Sequence, residues 1–408
     1  MNKVNEKLLS EANIGIVGHV AHGKTILTKA LTGKLTLQHS EELKRGITIK
    51  LGYADATIYQ CKNCQKYFTN KDFCPYCFSK DVEIKRTVSF LDAPGHEILM
   101  ATVLTASALF DGAILVIAAN EKCPQPQTKE HLKILEISNI FNLVIAQNKI
   151  DLVTKEQAIK NYNEILEFIK NTKFSNAPII PISAQFNANI HYLIEAIENY
   201  IPTPKRESKK PLMYVVRSFD INKPGTKINE LKGAVLGGSI VSGKFKENDE
   251  IEIKPGVIFE SKYKKLVAKI ISIKKSNYNV SEAGAGGLVG LMTSLDPSLA
   301  QNDFLAGRIV GLVNELENEV NKIEIEYNLF EKVIGEESDL KVEDLKVGEK
   351  IMLNIATQKT LGEVIRKTKE KIELKLYYPI VPLNVNVAIS RQIKRSWRLI
   401  GFGKITTY

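Results

Sequence analysis

The segment 13–25 constrains this chain more than any other. Its residues 18–25 read Gly-His-Val-Ala-His-Gly-Lys-Thr, which fits the phosphate-loop pattern Gly-x4-Gly-Lys-[Ser/Thr]. The apolar run 14–17 precedes the pattern and the helix-forming segment 24–31 follows it, so a helix amino terminus would face the bound anion. A chance match is the alternative for this motif taken alone. We predict phosphate contacts from the loop at Gly18, Val20, Ala21, His22, Gly23, Lys24 and Thr25, with Lys24 on the terminal phosphates and the Thr25 hydroxyl on Mg2+.

Length and composition narrow the class of protein. A chain of 408 residues is long enough for two or three domains, and its 44% apolar and 25% charged residues are ordinary for a globular protein. The net charge of +10 indicates a polyanionic partner, with nucleic acid the leading candidate and a merely basic surface the alternative. The amino terminus lacks a secretory pattern, and the longest apolar run, 113–119, is too short to cross a membrane. We therefore expect a cytoplasmic protein without a membrane partner.

Residues 1 to about 201 alternate apolar strands with amphipathic helices, as doubly wound α/β domains do. The runs 88–91, 113–119 and 143–147 are predicted to be buried parallel strands, whose carboxyl ends should line one ligand site. Two helical stripes are predicted to face the core. The first is Ala158, Ile159, Tyr162, Ile165, Leu166 and Ile169, and the second is Ile190, Leu193, Ile194, Ile197 and Ile201.

The character of the sequence changes after a proline-rich, charged segment at 202–211, which is typical of a linker. From residue 213 onwards, short runs rich in Val, Ile and Tyr alternate with glycine turns, a pattern that favours β-barrels or sandwiches. The acidic segment 314–321 marks a second boundary. We predict a nucleotide-binding domain at 1–204, a β-barrel at 205–318 and another β-barrel at 319–408.

A second motif, Asn148-Lys149-Ile150-Asp151, follows directly on a predicted strand. A carboxylate there can accept two hydrogen bonds from N1 and the exocyclic amine of guanine, which adenine cannot offer, so Asp151 would select the base. Asn148 would hold the other edge and tie this loop to the phosphate loop, and the stem of Lys149 would cover the ring. An ordinary polar turn is the alternative. The tripeptide Ser183, Ala184 and Gln185 would supply a backbone amide for the guanine carbonyl.

A third motif, Asp92-Ala-Pro-Gly95-His96, closes another predicted strand. Asp92 is placed to reach the Mg2+ shell through water, and the Gly95 amide can bond a γ-phosphate only while that phosphate is present, which makes the loop a switch. His96 would orient the attacking water, although it could instead be a loop residue without a catalytic part. Thr48 is the candidate second hydroxyl ligand of Mg2+. The motifs together predict a GTPase in which His96, Lys24 and Thr48 are the catalytic residues.

Four cysteines at Cys61, Cys64, Cys74 and Cys77 have the spacing Cys-x2-Cys-x9-Cys-x2-Cys. Two tight turns that each present a pair of thiolates are typical of a tetrahedral Zn2+ site. Two disulfides or an iron-sulfur centre are the alternatives. We predict a structural zinc knuckle at 58–82, in which the metal replaces a core that so short an insert cannot build. Cys123 stands apart and is expected to be a bystander.

Further segments carry a resemblance to a known family. Residues 45–49, 92–96 and 124–131 resemble those of the translational GTPases, the superfamily of elongation factor Tu. Among these proteins the chain is similar to the gamma subunits of archaeal and eukaryotic translation initiation factor 2. The matching stretches are the cysteine insert and residues 49–54, 218–226, 237–240, 389–391 and 397–401, so the likeness covers nearly the whole chain.

The resemblance implies an α/β P-loop G domain with a mostly parallel sheet and a zinc-knuckle insert, followed by two β-barrel domains. It implies GTP/GDP, Mg2+ and Zn2+ as ligands, and delivery of methionyl initiator tRNA to the small ribosomal subunit in the GTP state. The partners implied are the alpha and beta subunits of the same factor. Tyr53 would lie near the methionylated end of the tRNA, with a core tyrosine as the alternative.

The chain departs from the family at Ala21, where many members carry an aspartate assigned to a second metal ion near the phosphates. Alanine offers no ligand, so a second Mg2+, which would also use the Gly46 carbonyl, is in doubt. We therefore predict slow intrinsic hydrolysis that needs an activator.

The last β domain carries a basic cluster around Trp397, which suits contacts with an RNA backbone. Its cations are Arg391, Lys394, Arg395 and Arg398, of which Arg391 and Arg395 are our candidates for tRNA contacts. A solvated strand face is the alternative. Two other functions also remain open: an elongation-factor-type GTPase that delivers another aminoacyl-tRNA, and a zinc-bearing assembly scaffold that binds GTP without hydrolysing it. The zinc insert argues against the first.

Overall fold

In the computed structural model, the described residues are 5–36, 51–96, 99–206, 209–259, 262–334, 340–393 and 396–408. The chain divides into two units. Asn5–Pro204 make up most of one, and Lys205–Val333 and Lys341–Tyr408 make up most of the other. Among the described residues, no helix is long and apolar enough to cross a membrane.

The first unit is built on a mixed sheet that is mostly parallel. Its strands are β1 (Ser10–Val17), β2 (Gly52–Cys61), β3 (Tyr67–Thr69), β4 (Val82–Asp92), β5 (Gly112–Ala118), β6 (Leu143–Asn148) and β7 (Ile179–Pro181). They lie in the order β3-β2-β4-β1-β5-β6-β7. The run from β4 to β7 is parallel, and β2 pairs antiparallel with β3 and β4. The predicted doubly wound, mostly parallel fold is therefore confirmed.

The helices of this unit begin and end where local chemistry allows. They are α1 (Lys24–Thr32), α2 (Met100–Ser107), α3 (Pro126–Ile137), α4 (Lys155–Ile169) and α5 (Ile190–Tyr200), with 3-10 turns at Glu6–Leu8 and Ile150–Leu152. Gly33 ends α1 in the left-handed conformation that favours glycine. Thr154 and Gln157 form a capping box that starts α4 and satisfies two backbone donors.

The two predicted helical stripes have different outcomes. The stripe on α5 is buried against the sheet, as predicted. On α4 the prediction of a core face is wrong in part, since Ile159 is 52% exposed and Leu166 is 41% exposed. A buried polar residue explains the exposure of these two side chains. The inner face of α4 includes buried Asn161, which accepts a hydrogen bond from Gln147 and donates one to the Glu121 carbonyl. This network rotates part of the apolar stripe towards solvent.

The second unit contains two closed β-barrels, each with its own apolar core. The first barrel consists of β8 (Leu212–Phe219), β9 (Val235–Ser242), β11 (Glu250–Phe259), β12 (Lys262–Lys275), β15 (Val289–Thr293) and β16 (Ile309–Leu312). Pairing of β11 with β12 closes the ring. Short additions flank it: β10 (Lys244–Lys246), β13 (Tyr278–Val280), β14 (Glu282–Gly284) and 3-10 turns at Ile228–Glu230 and Pro297–Asp303.

The second barrel closes in the order β17-β20-β19-β18-β21-β22. Its strands are β17 (Val320–Leu329), β18 (Lys350–Ile355), β19 (Gln358–Lys367), β20 (Lys371–Ile380), β21 (Asn386–Ile393) and β22 (Ser396–Thr407). Inward residues alternate with outward ones, as along β17, where Ile323, Ile325 and Tyr327 are buried. The two predicted β-barrels are confirmed. The domain boundaries at 204/205 and 318/319 stay predictions.

Candidate nucleotide-binding site and cysteine knuckle

The loop between β1 and α1 needs its glycines because neighbouring groups approach it closely. Gly18 and Gly23 have φ values of 141° and 93°, which side chains rarely adopt. A Cβ atom on Gly18 would lie 2.3 Å from the Val116 carbonyl oxygen, and one on Gly23 would lie 2.4 Å from Nδ2 of Asn148. The sequence motif therefore reflects a tightly enclosed backbone.

Lys24 begins α1 and folds back over this loop. Its Nζ donates hydrogen bonds of 2.8 Å to the carbonyl oxygens of Gly18 and His19. The side chain is buried, and this burial lowers the pKa of Lys24 to about 8, although the negative charge of Asp92 opposes the shift. The loop thus holds a desolvated cation, and an anionic ligand bound there would be attracted more strongly than by a cation exposed to water.

Asp92, at the end of β4, is fully buried beside the start of α1. Its Oδ2 accepts 2.8 Å hydrogen bonds from the hydroxyls of Thr25 and Thr36. Hydroxyl and carboxylate oxygens are the ligands that Mg2+ prefers, so Thr25 and Asp92 fit a magnesium site. Gly46 and Thr48, the other predicted ligands, lie outside the described residues. Thr36 was not predicted, because no motif includes it.

The loop that follows β4 packs directly on the phosphate loop. A Cβ atom on Gly95 would lie 2.3 Å from Nζ of Lys24 and 3.0 Å from the backbone nitrogen of Val20. Gly95 is therefore close enough for its backbone to contact a ligand that binds Lys24. His96 follows it and is half-buried.

Two buried histidines, His22 within the phosphate loop and His131 on α3, connect the loop to its surroundings. Nδ1 of His131, on α3, accepts a 2.8 Å hydrogen bond from the Gly18 amide, so this nitrogen carries no proton. Nδ1 of His22 lies 2.9 Å from the Val116 carbonyl oxygen, and its Nε2 lies 3.3 Å from Glu121. Burial holds the pKa of His131 well below its usual value and lowers the pKa of His22 to about 4. Sequence reasoning missed the contact of His131, although it singled out the segment 124–131 that ends with this residue.

The predicted base-binding residues meet at the ends of β6 and β7. The Asn148 side chain donates to the His22 carbonyl at 2.9 Å and accepts from the Ala184 amide at 3.0 Å, so it ties both loops together. Lys149 adopts a left-handed φ of 63°, and Asp151 is exposed in the turn that follows. In the neighbouring tripeptide, Ser183 and Ala184 are buried and Gln185 is exposed.

The four motif cysteines meet at one end of β2. Their sulfur atoms all lie within 4.8 Å of one another, and two of the separations, Cys61 to Cys77 and Cys64 to Cys74, are 3.5 Å. Zinc–sulfur bonds of about 2.3 Å in a tetrahedron separate the sulfurs by about 3.8 Å, so the four thiols fit one Zn2+ ion. All four are free of disulfides. The predicted zinc knuckle agrees with this arrangement.

The two halves of the knuckle have the same backbone form. The Gln65 amide donates to the Cys61 carbonyl at 3.0 Å, and the Phe78 amide donates to the Cys74 carbonyl at 2.9 Å. Gln65 and Phe78, which each follow the second cysteine of a pair, have the same left-handed φ of 59°. Each Cys-x2-Cys turn therefore presents its thiols in a similar way.

The candidate tRNA residues differ from one another in exposure and in hydrogen bonding. Tyr53 on β2 is 45% exposed, so it is available to a ligand. Arg391 is bound within its own barrel, since its guanidinium forms two hydrogen bonds with Glu349 and two with the carbonyls of Glu343 and Asp344. Arg398 is only 5% exposed. Lys394 and Arg395 lie outside the described residues.

A phosphate loop, an Asp-x-x-Gly loop and an Asn-Lys-x-Asp turn at the strand ends of this sheet, with two β-barrels after it, define a GTPase of the translational type. The model of the elongation factor Tu GTP binding domain family matches residues 10–203. The model named initiation factor eIF2 gamma, C terminal, matches residues 321–405. Such GTPases use GTP and GDP with Mg2+.

Full-length relatives narrow the class. Translation initiation factor 2 subunit gamma of Pyrococcus furiosus is 54% identical over 402 residues, which cover 97% of each chain. The protein of the same name from Methanocaldococcus jannaschii is 53% identical over 411 residues, which cover 99% of this chain and all of its own. The chain belongs to the family of translation initiation factor 2 gamma subunits.

Solved structures agree in fold. A bacterial selenocysteine-specific elongation factor EF-Sec superposes with a TM-score of 0.73 at 23% identity, over 97% of this chain and 58% of its own. The elongation factor SelB of Methanococcus maripaludis, in complex with the GTP analogue GppNHp, gives a TM-score of 0.72 at 22% identity, over 98% of this chain and 80% of its own.

Proposed function

We propose that this GTPase binds initiator methionyl-tRNA in its GTP state, delivers it to the small ribosomal subunit and releases it after hydrolysis. One observation carries the proposal. Lys24 at the start of α1, Asp92 at the end of β4 and Asn148 at the end of β6 all contact the phosphate loop, in a chain whose full-length relatives are initiation factor subunits. Because those relatives are named as gamma subunits, the partners that fit are the alpha and beta subunits of one factor, acting in the cytoplasm.

In this proposal the phosphate loop binds the triphosphate through its backbone amides, and Lys24 turns from the Gly18 and His19 carbonyls towards the β- and γ-phosphates. Exchange of two neutral acceptors for charged ones strengthens the hydrogen bonds of a buried ammonium group. The ligand thereby compensates for the desolvation that lowers the pKa of Lys24.

Thr25 and Thr48 would hold Mg2+, Asp92 would reach its shell through water, and the Gly46 carbonyl would serve only a second ion. The metal, when bound, would neutralise negative charge on the phosphates. The Gly95 amide is close to the same place and would read the presence of the γ-phosphate. His96, half-buried beside Gly95, orients the attacking water. Loss of the γ-phosphate then releases the loop, and this release weakens the grip on tRNA.

Guanine is selected by the residues at the exposed end of the site. The exposed carboxylate of Asp151 accepts from N1 and the exocyclic amine, and the Lys149 stem covers the ring. Asn148 holds the loop in register with the phosphate loop through the His22 carbonyl and the Ala184 amide. Ser183 and Gln185 complete the backbone that faces the guanine carbonyl. Tyr53 and Arg395 are the tRNA contacts we propose, whereas the ion pair of Arg391 with Glu349 favours a structural role for that residue.

The test is retention of initiator tRNA on a filter by the chain mixed with its alpha subunit. We expect tight retention with a GTP analogue and methionylated tRNA, and at least tenfold weaker retention with GDP or with deacylated tRNA. Retention that does not depend on nucleotide supports a scaffold instead. Equal retention of an elongator aminoacyl-tRNA supports an elongation-factor role and contradicts the proposal.

Base selection has its own test. Asp151→Asn replaces an acceptor by a donor, which suits the C2 carbonyl of xanthine, so GTP affinity should fall by more than 100-fold and xanthosine triphosphate should restore tRNA retention. Asp81→Asn is the matched control, because this carboxylate is exposed on the knuckle beside Lys62. If Asp151→Asn keeps its preference for GTP, the assignment of Asp151 is wrong.

A further inference from the structure

The buried carboxylate of Asp92 has a partner that lies outside every nucleotide-binding motif. Its Oδ2 accepts one hydrogen bond from Thr25, a phosphate-loop residue, and a second of the same 2.8 Å length from Thr36. Thr36 follows the end of α1 by four residues and is only 6% exposed. Two hydroxyl donors from different parts of the chain therefore fix one carboxylate oxygen.

The neighbouring backbone leaves space for this contact. Gly52, the first residue of β2, pairs with Asp92 across the sheet. A Cβ atom on Gly52 would lie 2.7 Å from Cβ of Thr36, too close for any other residue without displacing the threonine. The glycine thus lets Thr36 reach the carboxylate. This contact matters for metal binding, because groups that hydrogen-bond to a carboxylate at a metal site set the orientation of that carboxylate.

We propose that Thr36 is a positioning residue for the magnesium site: its hydroxyl holds the Asp92 carboxylate in the orientation that the metal shell requires. The inference rests on the proposed function, in which Asp92 reaches Mg2+ together with Thr25. An sp2 carboxylate oxygen has two in-plane lone pairs, and the two threonine hydroxyls account for this capacity at Oδ2. Rotation of the carboxylate would break both hydrogen bonds, so the two threonines fix its orientation.

The experiment measures how Mg2+ slows release of a fluorescent GDP analogue from the full chain. Thr36→Val keeps the shape but removes the hydroxyl, so the free Mg2+ concentration that gives half-maximal slowing should rise about tenfold, the lower end of what loss of such a partner costs. Thr36→Ser should restore it to within threefold. In excess chelator, wild type and Thr36→Val should release the analogue at equal rates.

Thr32→Val is the matched control. Thr32 is also buried and donates to a helix carbonyl, that of Thr28, but does not contact Asp92. Its Mg2+ dependence should equal that of the wild type. The proposal is overturned if Thr36→Val keeps the wild-type Mg2+ dependence, or if release accelerates equally with and without Mg2+, which indicates a structural role. If the wild type itself shows no Mg2+ dependence, the failure belongs to the proposed function.

Discussion

The nucleotide site and the cysteine knuckle belong to one sheet but hold their shape by different means. Around the phosphate loop, positions are fixed by hydrogen bonds between elements far apart in sequence, such as Gly18 with His131 and Asn148 with His22. This network is supported by a large apolar core. The knuckle has a small buried cluster of Phe68 and two of its cysteines, with few apolar neighbours. Backbone hydrogen bonds shape its turns, and its four free thiols lie close enough together to bind one metal ion.

The difference teaches where each site is vulnerable. Removal of one hydrogen bond from the nucleotide site leaves many others, so we expect graded changes in rate or affinity. The knuckle depends on one closed coordination shell, and binding of a structural zinc ion is itself folding free energy, about 10–16 kcal/mol for zinc-finger peptides at pH 7. Loss of one thiol should therefore unfold the insert as a unit.

The largest effect is expected for Cys74→Ser or for removal of zinc by a chelator. Amide exchange across residues 61–81 should rise to that of an unfolded segment, because the core of the insert cannot hold it without metal. GDP affinity should change less than threefold, since the phosphate loop belongs to the other network. Zinc content and hydrogen exchange measure the first result, and fluorescence titration with labelled GDP measures the second.

Cys123→Ala is the control for this experiment. Cys123 is buried but lies outside the cluster, and burial raises the pKa of its thiol to about 12, so it is a poor metal ligand. Its zinc content should remain one ion per chain. Persistent protection of the insert without zinc would show that the two regions do not differ as we describe.

The next largest effect is expected for Gly95→Ala. The added Cβ would meet Nζ of Lys24 at 2.3 Å and the Gly18 carbonyl oxygen at 3.0 Å, so the lysine tip must shift and the tightly packed loop must give slightly, which misaligns both groups with the γ-phosphate. We expect single-turnover GTP hydrolysis to slow by about 100-fold. Gly33→Ala is the control, because it strains a left-handed φ of 72° but meets nothing within 4 Å, and it should leave the rate within threefold. Equal rates for both variants would remove Gly95 from the switch.

A smaller effect is expected for His131→Ala. The variant leaves the buried amide of Gly18 without its acceptor, which costs about 1–3 kcal/mol, so GDP release should be about tenfold faster. His131→Gln can supply an acceptor oxygen and should recover part of the difference. His191→Ala, in the ring contact with Tyr76 away from the phosphate loop, is the control. If GDP release from His131→Ala is unchanged, the phosphate loop keeps its conformation without the hydrogen bond to His131.

The same histidines predict a pH dependence. Their folded-state pKa values are depressed, to about 4 for His22 and in the same direction for His131, whereas the unfolded value is about 6.5. The unfolded chain then binds more protons below pH 6.5, so the free energy of unfolding should decrease as pH falls from 6.5 towards 4. Urea unfolding at pH 7, 5.5 and 4.5 measures this slope, and a shallower slope is expected for His22→Gln. A slope that His22→Gln leaves unchanged would contradict the assignment.

Sequence reasoning found the parts of both sites that obey fixed local spacing. The phosphate loop, the strand-end motifs and the cysteine pairs are local patterns, so a single sequence reveals them. It missed contacts set by tertiary structure, such as Thr36 with Asp92, 56 residues apart, and Arg391 with Glu349, 42 residues apart. The exposed Ile159 on α4 has the same cause, since a stripe of apolar residues does not show that buried Asn161 will orient the helix.

The smallest expected effect concerns Ala21, where the family resemblance leads us to expect an aspartate. Ala21 has a left-handed φ of 61° and is exposed. Aspartate and asparagine adopt this conformation more readily than alanine, so neither substitution should strain the loop. A carboxylate there could also hold a second Mg2+ ion beside the phosphates. We expect Ala21→Asp to speed intrinsic single-turnover hydrolysis several-fold at saturating Mg2+.

Ala21→Asn separates the two possible causes, because it has the same shape and backbone preference without the charge. If the gain comes from a metal ligand, Ala21→Asn should hydrolyse GTP at the wild-type rate, and the gain of Ala21→Asp should require Mg2+ above the concentration that saturates the first site. If both variants gain equally, relief of the left-handed backbone is the cause. If neither gains, the alanine does not explain slow hydrolysis. A single exposed side chain can therefore tune the hydrogen-bonded site by a small factor, whereas the four-thiol knuckle offers no comparable position among its ligands.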